Sequence, residues 1–255
     1  MANSVISWVL RQGLGVGLLS LGVLSSARAD TTLVAVAANF SGTAQTIASD
    51  FKRMSGHTVT LVPGGTGKLY AQIKNGAPYQ VLLSADDETP SRLVQEGAAL
   101  ANSQFTYATG RLVLWSPQPG VVDAPGTVLG AAGLRVAMAD PKTAPYGAAA
   151  MQVMQQRGVW QGLQGRLIQG ESIAQTYQFV ASGNAPMGFV ALSQVMRDGR
   201  LADGSAWQVP VHLHQALRQD AVLLNPGQGQ AAALAFLAYL RTEPARRVMR
   251  AVGYE

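Results

Sequence analysis

The chain has 255 residues, no cysteine, and 19 Lys and Arg against 14 Asp and Glu, for a formal net charge of +5. The lack of thiols excludes disulfides, thiolate catalysis and sulfur-ligated metals. The positive excess is too small and too scattered for nucleic acid, which calls for clustered Lys and Arg with interleaved aromatics.

Residues 1–29 read as a cleavable export signal. Arg11 supplies the positive flank, Gly13 to Leu24 an apolar run, and Ala27-Arg28-Ala29 a small-residue cleavage site, so that the mature chain begins at Asp30. The apolar run falls short of the ~20 residues that span a membrane, and no cysteine stands near the cleavage site to carry a lipid anchor. Without Arg11 and Arg28 the mature part has 17 basic and 14 acidic residues.

From Asp30 onward, short β-rich runs alternate with helical patterns, which predicts an α/β fold with mainly parallel sheets. Leu33–Ala38 reads as a buried strand. Ser41 to Met54 then sets Ala44, Ile47, Ala48, Phe51 and Met54 on one helical stripe, closed by Ser55-Gly56. Thr58–Val62 is the second strand, followed by a helix from Gly67 to Lys74. Gln80–Ser84 is the third strand, and Thr89-Pro90 predicts an N-cap and first-turn proline for the next helix. Tyr107–Trp115 reads as one long extended segment crossing into a second lobe.

The second lobe is predicted to hold a strand over Leu134–Ala139, a helix near Gly147–Arg157, and a strand near Arg166–Gln169. A helix from Ser172 and a buried strand over Met187–Leu192 follow. Trp207–Leu213 and Asp220–Leu224 read as extended segments returning to the first lobe. Two helices close the chain, Gln228–Leu240 and one opened by Thr242-Glu243-Pro244. The expected organisation is therefore a first lobe over 30–108, a second over 109–210, and a return over 211–255. Between two such lobes lies a cleft lined by the loops at the C-terminal ends of parallel strands.

Four strand-to-helix junctions share one pattern: Ala37-Ala38-Asn39-Phe40-Ser41, Gly64-Gly65-Thr66-Gly67, Pro145-Tyr146-Gly147 and Glu171-Ser172-Ile173. A helix N-terminus offers backbone N–H groups without acceptors and the positive end of the helix dipole, which together favour an anion. Asn39, Ser41, Thr66, Tyr146 and Ser172 add neutral donors there. Neutral donors select a fully deprotonated oxyanion, because they offer few acceptors to a protonated one.

Other chemistry finds little support. Gly64-Gly65-Thr66-Gly67-Lys68-Leu69 is not a P-loop: Val62 stands where the first glycine belongs, and Leu69 follows the lysine. His212 and His214 alternate on an expected strand face without an obvious third metal ligand. Asp86-Asp87-Glu88 and the Arg246, Arg247 and Arg250 set match helix-dipole and solvated-face roles. No G-x-S-x-G elbow is present.

Several segments carry a family likeness. Val36-Ala37-Ala38-Asn39-Phe40, Gly65-Thr66-Gly67-Lys68-Leu69-Tyr70-Ala71-Gln72-Ile73 and Gly76-Ala77-Pro78 do so in the first half. Val81-Leu82-Leu83-Ser84-Ala85-Asp86, Asp140-Pro141 with Ala144-Pro145-Tyr146-Gly147, and Asn184-Ala185-Pro186-Met187-Gly188-Phe189-Val190-Ala191 continue it in order. Together they resemble the periplasmic molybdate-binding proteins of ABC importers over essentially the whole mature chain. The resemblance implies a type II-like two-lobed binding protein, monomeric and periplasmic, that closes on molybdate or tungstate and delivers it to a membrane permease. It implies no enzymatic activity, no cofactor and no metal-cation ligands.

By position, the resemblance assigns the oxyanion to Asn39, the hydroxyl of Thr66, the hydroxyl of Tyr146 and the backbone N–H of Ile173. Members of that family commonly have serine at the positions of Thr66 and Gly65, and some have tyrosine at that of Ala191; these departures bear on pocket size and affinity. Sulfate, thiosulfate and phosphate are the rival ligands within the class. A secreted hydrolase using His212 or His214 is the rival from outside it.

Overall fold

The computed structural model describes residues 29–255, so the expected export signal lies outside the described residues except for Ala29. In the first half, β1 (Thr31–Ala37) leads through a 3-10 turn (Ala38–Phe40) to α1 (Ser41–Ser55). There follow β2 (Thr58–Gly64), α2 (Thr66–Lys74), β3 (Val81–Leu83), α3 (Glu88–Gln95), β4 (Phe105–Gly110) and β5 (Leu112–Ser116). The middle holds β6 (Val136–Ala139), α4 (Pro145–Gln156), α5 (Trp160–Leu163), β7 (Leu167–Gly170), α6 (Ile173–Ala181), β8 (Met187–Ala191) and α7 (Leu192–Val195). A small hairpin, β9 (Met196–Arg197) and β10 (Arg200–Leu201), precedes β11 (Ser205–Gln208), β12 (Leu217–Leu223), α8 (Ala231–Leu240) and α9 (Glu243–Ala251).

These strands form two five-stranded sheets, ordered β2-β1-β3-β12-β4 and β11-β5-β8-β6-β7. In the first, β1 runs parallel to β2 and β3, while β12 runs antiparallel to β3 and β4. In the second, β6 is parallel to β7 and β8, while β5 is antiparallel to β8 and β11. The sheets are thus parallel through their βα units and antiparallel where the crossing strands join them. Sheet membership changes at Arg111, between β4 and β5, and again between β11 and β12. The extended run through Tyr107–Trp115 is therefore two strands in different sheets.

Both faces of each sheet are covered, which is why the central strands read as unbroken apolar runs. Val34 and Val36 pack with Phe40, Ile47 and Phe236 on one face of β1, and Ala35 packs with Leu69, Leu82 and Val222 on the other. In the second sheet, Leu112 and Leu114 face Met138, Tyr146 and Phe189, while Val113 and Trp115 face Ala137 and Val190. The α1 stripe is buried as expected through Ala44, Ile47, Ala48 and Phe51, but Met54 is exposed. Gly56 ends α1 at φ 76°, the left-handed conformation that glycine adopts without strain, and its N–H caps Lys52 O.

Two local expectations fail. The N-cap of α3 is Asp87, and Thr89 and Pro90 lie inside the first turn. The Thr89 N–H and hydroxyl instead donate to Asp86, which holds the turn from one residue farther back. His212 and His214 do not share a strand face, because Val211–Leu213 is a 3-10 turn and β12 begins only at Leu217. Pro210, just before that turn, has no N–H to give to a strand ladder and so favours a turn over a strand there.

Candidate functional site

All four strand-to-helix junctions meet at one place. Ala37, Ala38 and Asn39 from the end of β1, Gly65 and Thr66 from the start of α2, and Ala85 after β3 form one wall. Ala144, Pro145 and Tyr146 at the start of α4 and Ile173 at the start of α6 form the other. They enclose a cavity of about 10 Å³, close to the room one water-sized sphere needs. No Asp, Glu, Lys, Arg or His is among its walls.

The donors come chiefly from helix starts. Thr66 and Ile173 are the first residues of α2 and α6, and Tyr146 is the second of α4. Their N–H groups precede any carbonyl that could accept them within the helix. Among the described residues, no turn or cap hydrogen bond uses the N–H of Asn39, Thr66, Tyr146 or Ile173. The Thr66 hydroxyl, buried against the cavity, accepts from the Ala85 N–H at 3.3 Å and keeps its own proton to donate. Ile173 is a buried apolar side chain, so it can offer only its amide.

The side chains of Asn39 and Tyr146 are held from behind. Asn39 Nδ2 donates to Gln219 Oε1 and to the Tyr254 hydroxyl, both at 3.0 Å. Gln219 Nε2 donates to the Tyr146 hydroxyl at 3.1 Å. The Asn39 amide protons are therefore spent within the protein, and its backbone N–H is the donor left over. Burial raises the Tyr146 and Tyr107 hydroxyl pKa values well above their usual 10.0, and pushes that of Tyr254 up to about 12. All three phenols remain protonated donors at neutral pH.

Ser41 and Ser172, also expected as donors, serve locally and do not line the cavity. The Ser41 hydroxyl donates to Ala38 O, and Ser172 caps α6 by accepting from the Gln175 N–H. Residue reading missed Gln219, Tyr107, Tyr254 and Ser193, which surround Asn39 and Tyr146 from β12, β4, the C-terminus and α7. One signal for Gln219 was present: the polar run Arg218-Gln219-Asp220 interrupts an otherwise apolar strand.

The two walls touch directly. The Gly67 N–H donates to Thr143 O at 3.0 Å, and the Ser193 hydroxyl donates to Asn39 O at 3.2 Å. A Cβ at Gly65 would stand 3.2 Å from Glu171 O, and one at Gly67 would stand 3.0 Å from both Thr143 O and Thr143 Cβ. Glycine at these positions permits the approach.

His214 is buried, with Nδ1 bonded to Gln215 O at 2.7 Å, and its Nε2 has no partner. Burial holds its pKa below the usual 6.5. Neither His214 nor His212 lines the cavity, and among the described residues no group of three or more His, Asp and Glu is placed to hold a metal ion.

Residues 32–255 match the family model for bacterial extracellular solute-binding proteins. The chain belongs to that family. It is 50% identical over 242 residues to the molybdate-binding protein ModA of Azotobacter vinelandii, covering 94% of each chain. It is 48% identical to the ModA of Rhodobacter capsulatus, covering 96% of each. The solved structure of the Azotobacter vinelandii periplasmic molybdate-binding protein superposes with a TM-score of 0.85 at 39% identity, over 88% of this chain and 98% of that one. These relatives are named for binding, and the expectation of a two-lobed α/β binding protein, not an enzyme, stands with them.

Proposed function

We propose that the chain is a periplasmic carrier that captures molybdate, and also tungstate, and hands it to the permease of an ABC importer. The observation that carries this is the meeting of four helix starts around one uncharged, buried cavity. Oriented N–H groups and two hydroxyls stabilise a tetrahedral dianion there without a counter-cation. The relatives at about half identity, named for molybdate, supply the ligand. The ligand set is the hydroxyls of Thr66 and Tyr146 and the N–H groups of Asn39 and Ile173.

The walls already touch through Gly67 and Thr143, so a tetrahedral oxyanion larger than water enters by a parting of the lobes and is then enclosed. Closure on the ligand gives the permease a shape to recognise, as a shift in population between open and closed forms. Hydrogen phosphate is disfavoured because no carboxylate in the walls accepts its proton. Export follows from the signal-like residues 1–29.

The test is isothermal titration of the mature protein, stripped of bound anion, with molybdate, tungstate and sulfate. One-to-one binding of the first two, with sulfate far weaker, is expected. Silence toward both metal oxyanions, or sulfate binding as tightly, overturns the assignment.

A further inference from the structure

Beneath the cavity lies a side chain that touches both walls and belongs to neither. Gln219 sits on β12, the strand that returns from the second sheet to the first, and is fully buried. Its register against β4 shifts between Gln219 and Asp220. A bulge of this kind re-aims a side chain. Asp220 on the far side of the bulge is tied to Thr106 Oγ1 and Gln104 Nε2, at 2.7 and 2.8 Å. Gln219 is thereby left to reach the junction between the sheets. Gly110, paired with Leu217 two residues back along β12, leaves the space: a Cβ there would lie 2.1 Å from the Tyr146 hydroxyl and 2.6 Å from Gln219 Nε2.

The hydrogen bonds of Gln219 have a direction. Its Oε1 receives Asn39 Nδ2 at 3.0 Å and shares the one Tyr107 hydroxyl proton with Ser84 O, at 3.0 and 2.9 Å, and its Nε2 gives to the Tyr146 hydroxyl. With its carbonyl occupied by donors, the amide can face Tyr146 only with N–H. The phenol oxygen is then an acceptor toward Gln219, and its single proton has no acceptor among the described residues. Tyr146 is one of the residues that line the cavity, and in the proposed site that proton goes to the ligand.

We propose that Gln219 is a positioning residue for oxyanion selection: it links Asn39 and Tyr146 across the crossover and turns the Tyr146 hydroxyl into an obligate donor toward the ligand. This rests on the reading of the cavity as a molybdate site. A donor-only phenol stabilises a fully deprotonated oxyanion and gives a protonated one nothing in return.

The test is a double-mutant cycle on molybdate affinity with Gln219→Met and Tyr146→Phe, alone and together, in the mature protein. Each single change is expected to weaken binding about 10- to 100-fold. The double variant is expected to be little worse than Tyr146→Phe, because Gln219 acts through that hydroxyl. Fully additive losses overturn the proposal, since Gln219 would then act independently of Tyr146.

Gln219→Glu keeps the shape and guards against a variant that fails to fold. Its carboxylate would accept the Tyr146 proton, so binding should be weak near pH 8. Affinity should recover as pH falls and the carboxyl, desolvated by burial beside Tyr107, Tyr146 and Asp220, regains a proton. A profile parallel to that of the wild type overturns the proposal. Wild-type silence toward molybdate overturns the functional reading and this inference with it, whereas additive losses in a wild type that binds overturn this inference alone.

Discussion

The molecule offers two opposite settings for negative charge. On the surface, the Glu96 carboxylate takes Arg92 Nε at 2.9 Å, Lys74 Nζ at 3.0 Å and the Tyr70 hydroxyl at 2.8 Å. The hydrogen bonds from Arg92, then Lys74 and Tyr70, lower its pKa to about 2. In the interior, the cavity between the helix starts has N–H groups and hydroxyls and no cation in its walls. Cations in water attract any anion, weakly and subject to screening. Fixed dipoles in a closed, dry site act strongly and discriminate by shape and protonation. A carrier that must choose among tetrahedral anions needs the second arrangement.

The sharpest way to break the contrast is to remove one interior dipole. Thr66→Ala should cost about 10- to 100-fold in molybdate affinity, since a hydrogen bond to a charged ligand is lost. Thermal stability without ligand should hardly move; equal affinity in a titration would remove Thr66 from the site. Next in size is the fit of the walls. Gly67→Ala places a methyl 3.0 Å from Thr143 and should weaken binding about five- to tenfold by resisting closure. An unchanged dissociation constant would show that closure does not bring these residues together.

His214 tests what the interior does with an unwanted cation. Its folded pKa is depressed by burial, with Arg111 adding repulsion. The unfolded chain therefore binds the proton more readily, and stability present above about pH 6.5 is lost as pH falls toward the folded value. Melting temperature should drop between about pH 7 and pH 5, and His214→Asn should flatten that slope. The smallest effects belong to the surface. Glu96→Gln should leave melting temperature nearly unchanged, and added salt should shift molybdate affinity by less than about threefold. A steep salt dependence would mean that surface cations, not the cavity, dominate binding.

Much of the fold was legible because its signals are local. Leu33–Ala38 and Met187–Leu192 are apolar runs and Thr58–Val62 is a β-branched one, each beside turn residues, and they became β1, β8 and β2 within two residues at either end. The meeting of Asn39, Thr66, Tyr146 and Ile173 was foreshadowed by their common place at helix starts. Their roles were less legible. Asn39 carries a side-chain amide that suits a ligand, yet both its protons go to Gln219 and Tyr254, more than 170 residues away in sequence. Ser41 and Ser172 carry suitable hydroxyls but are consumed by their own turns. The histidine pair failed as a strand pattern because a 3-10 turn intervenes at Val211–Leu213.

Apolar periodicity, glycine stops and proline starts determined which segments became strands and helices, since these depend on neighbours a few residues apart. They also determined that helix N-termini would gather at the C-terminal ends of parallel strands. Only the tertiary structure decided which donors are left free at the cavity. A hydroxyl or amide has a handful of hydrogen bonds to give, and whether they go to a cap, to Gln219 on a distant bulged strand or to an oxyanion depends on what packing brings within about 3 Å.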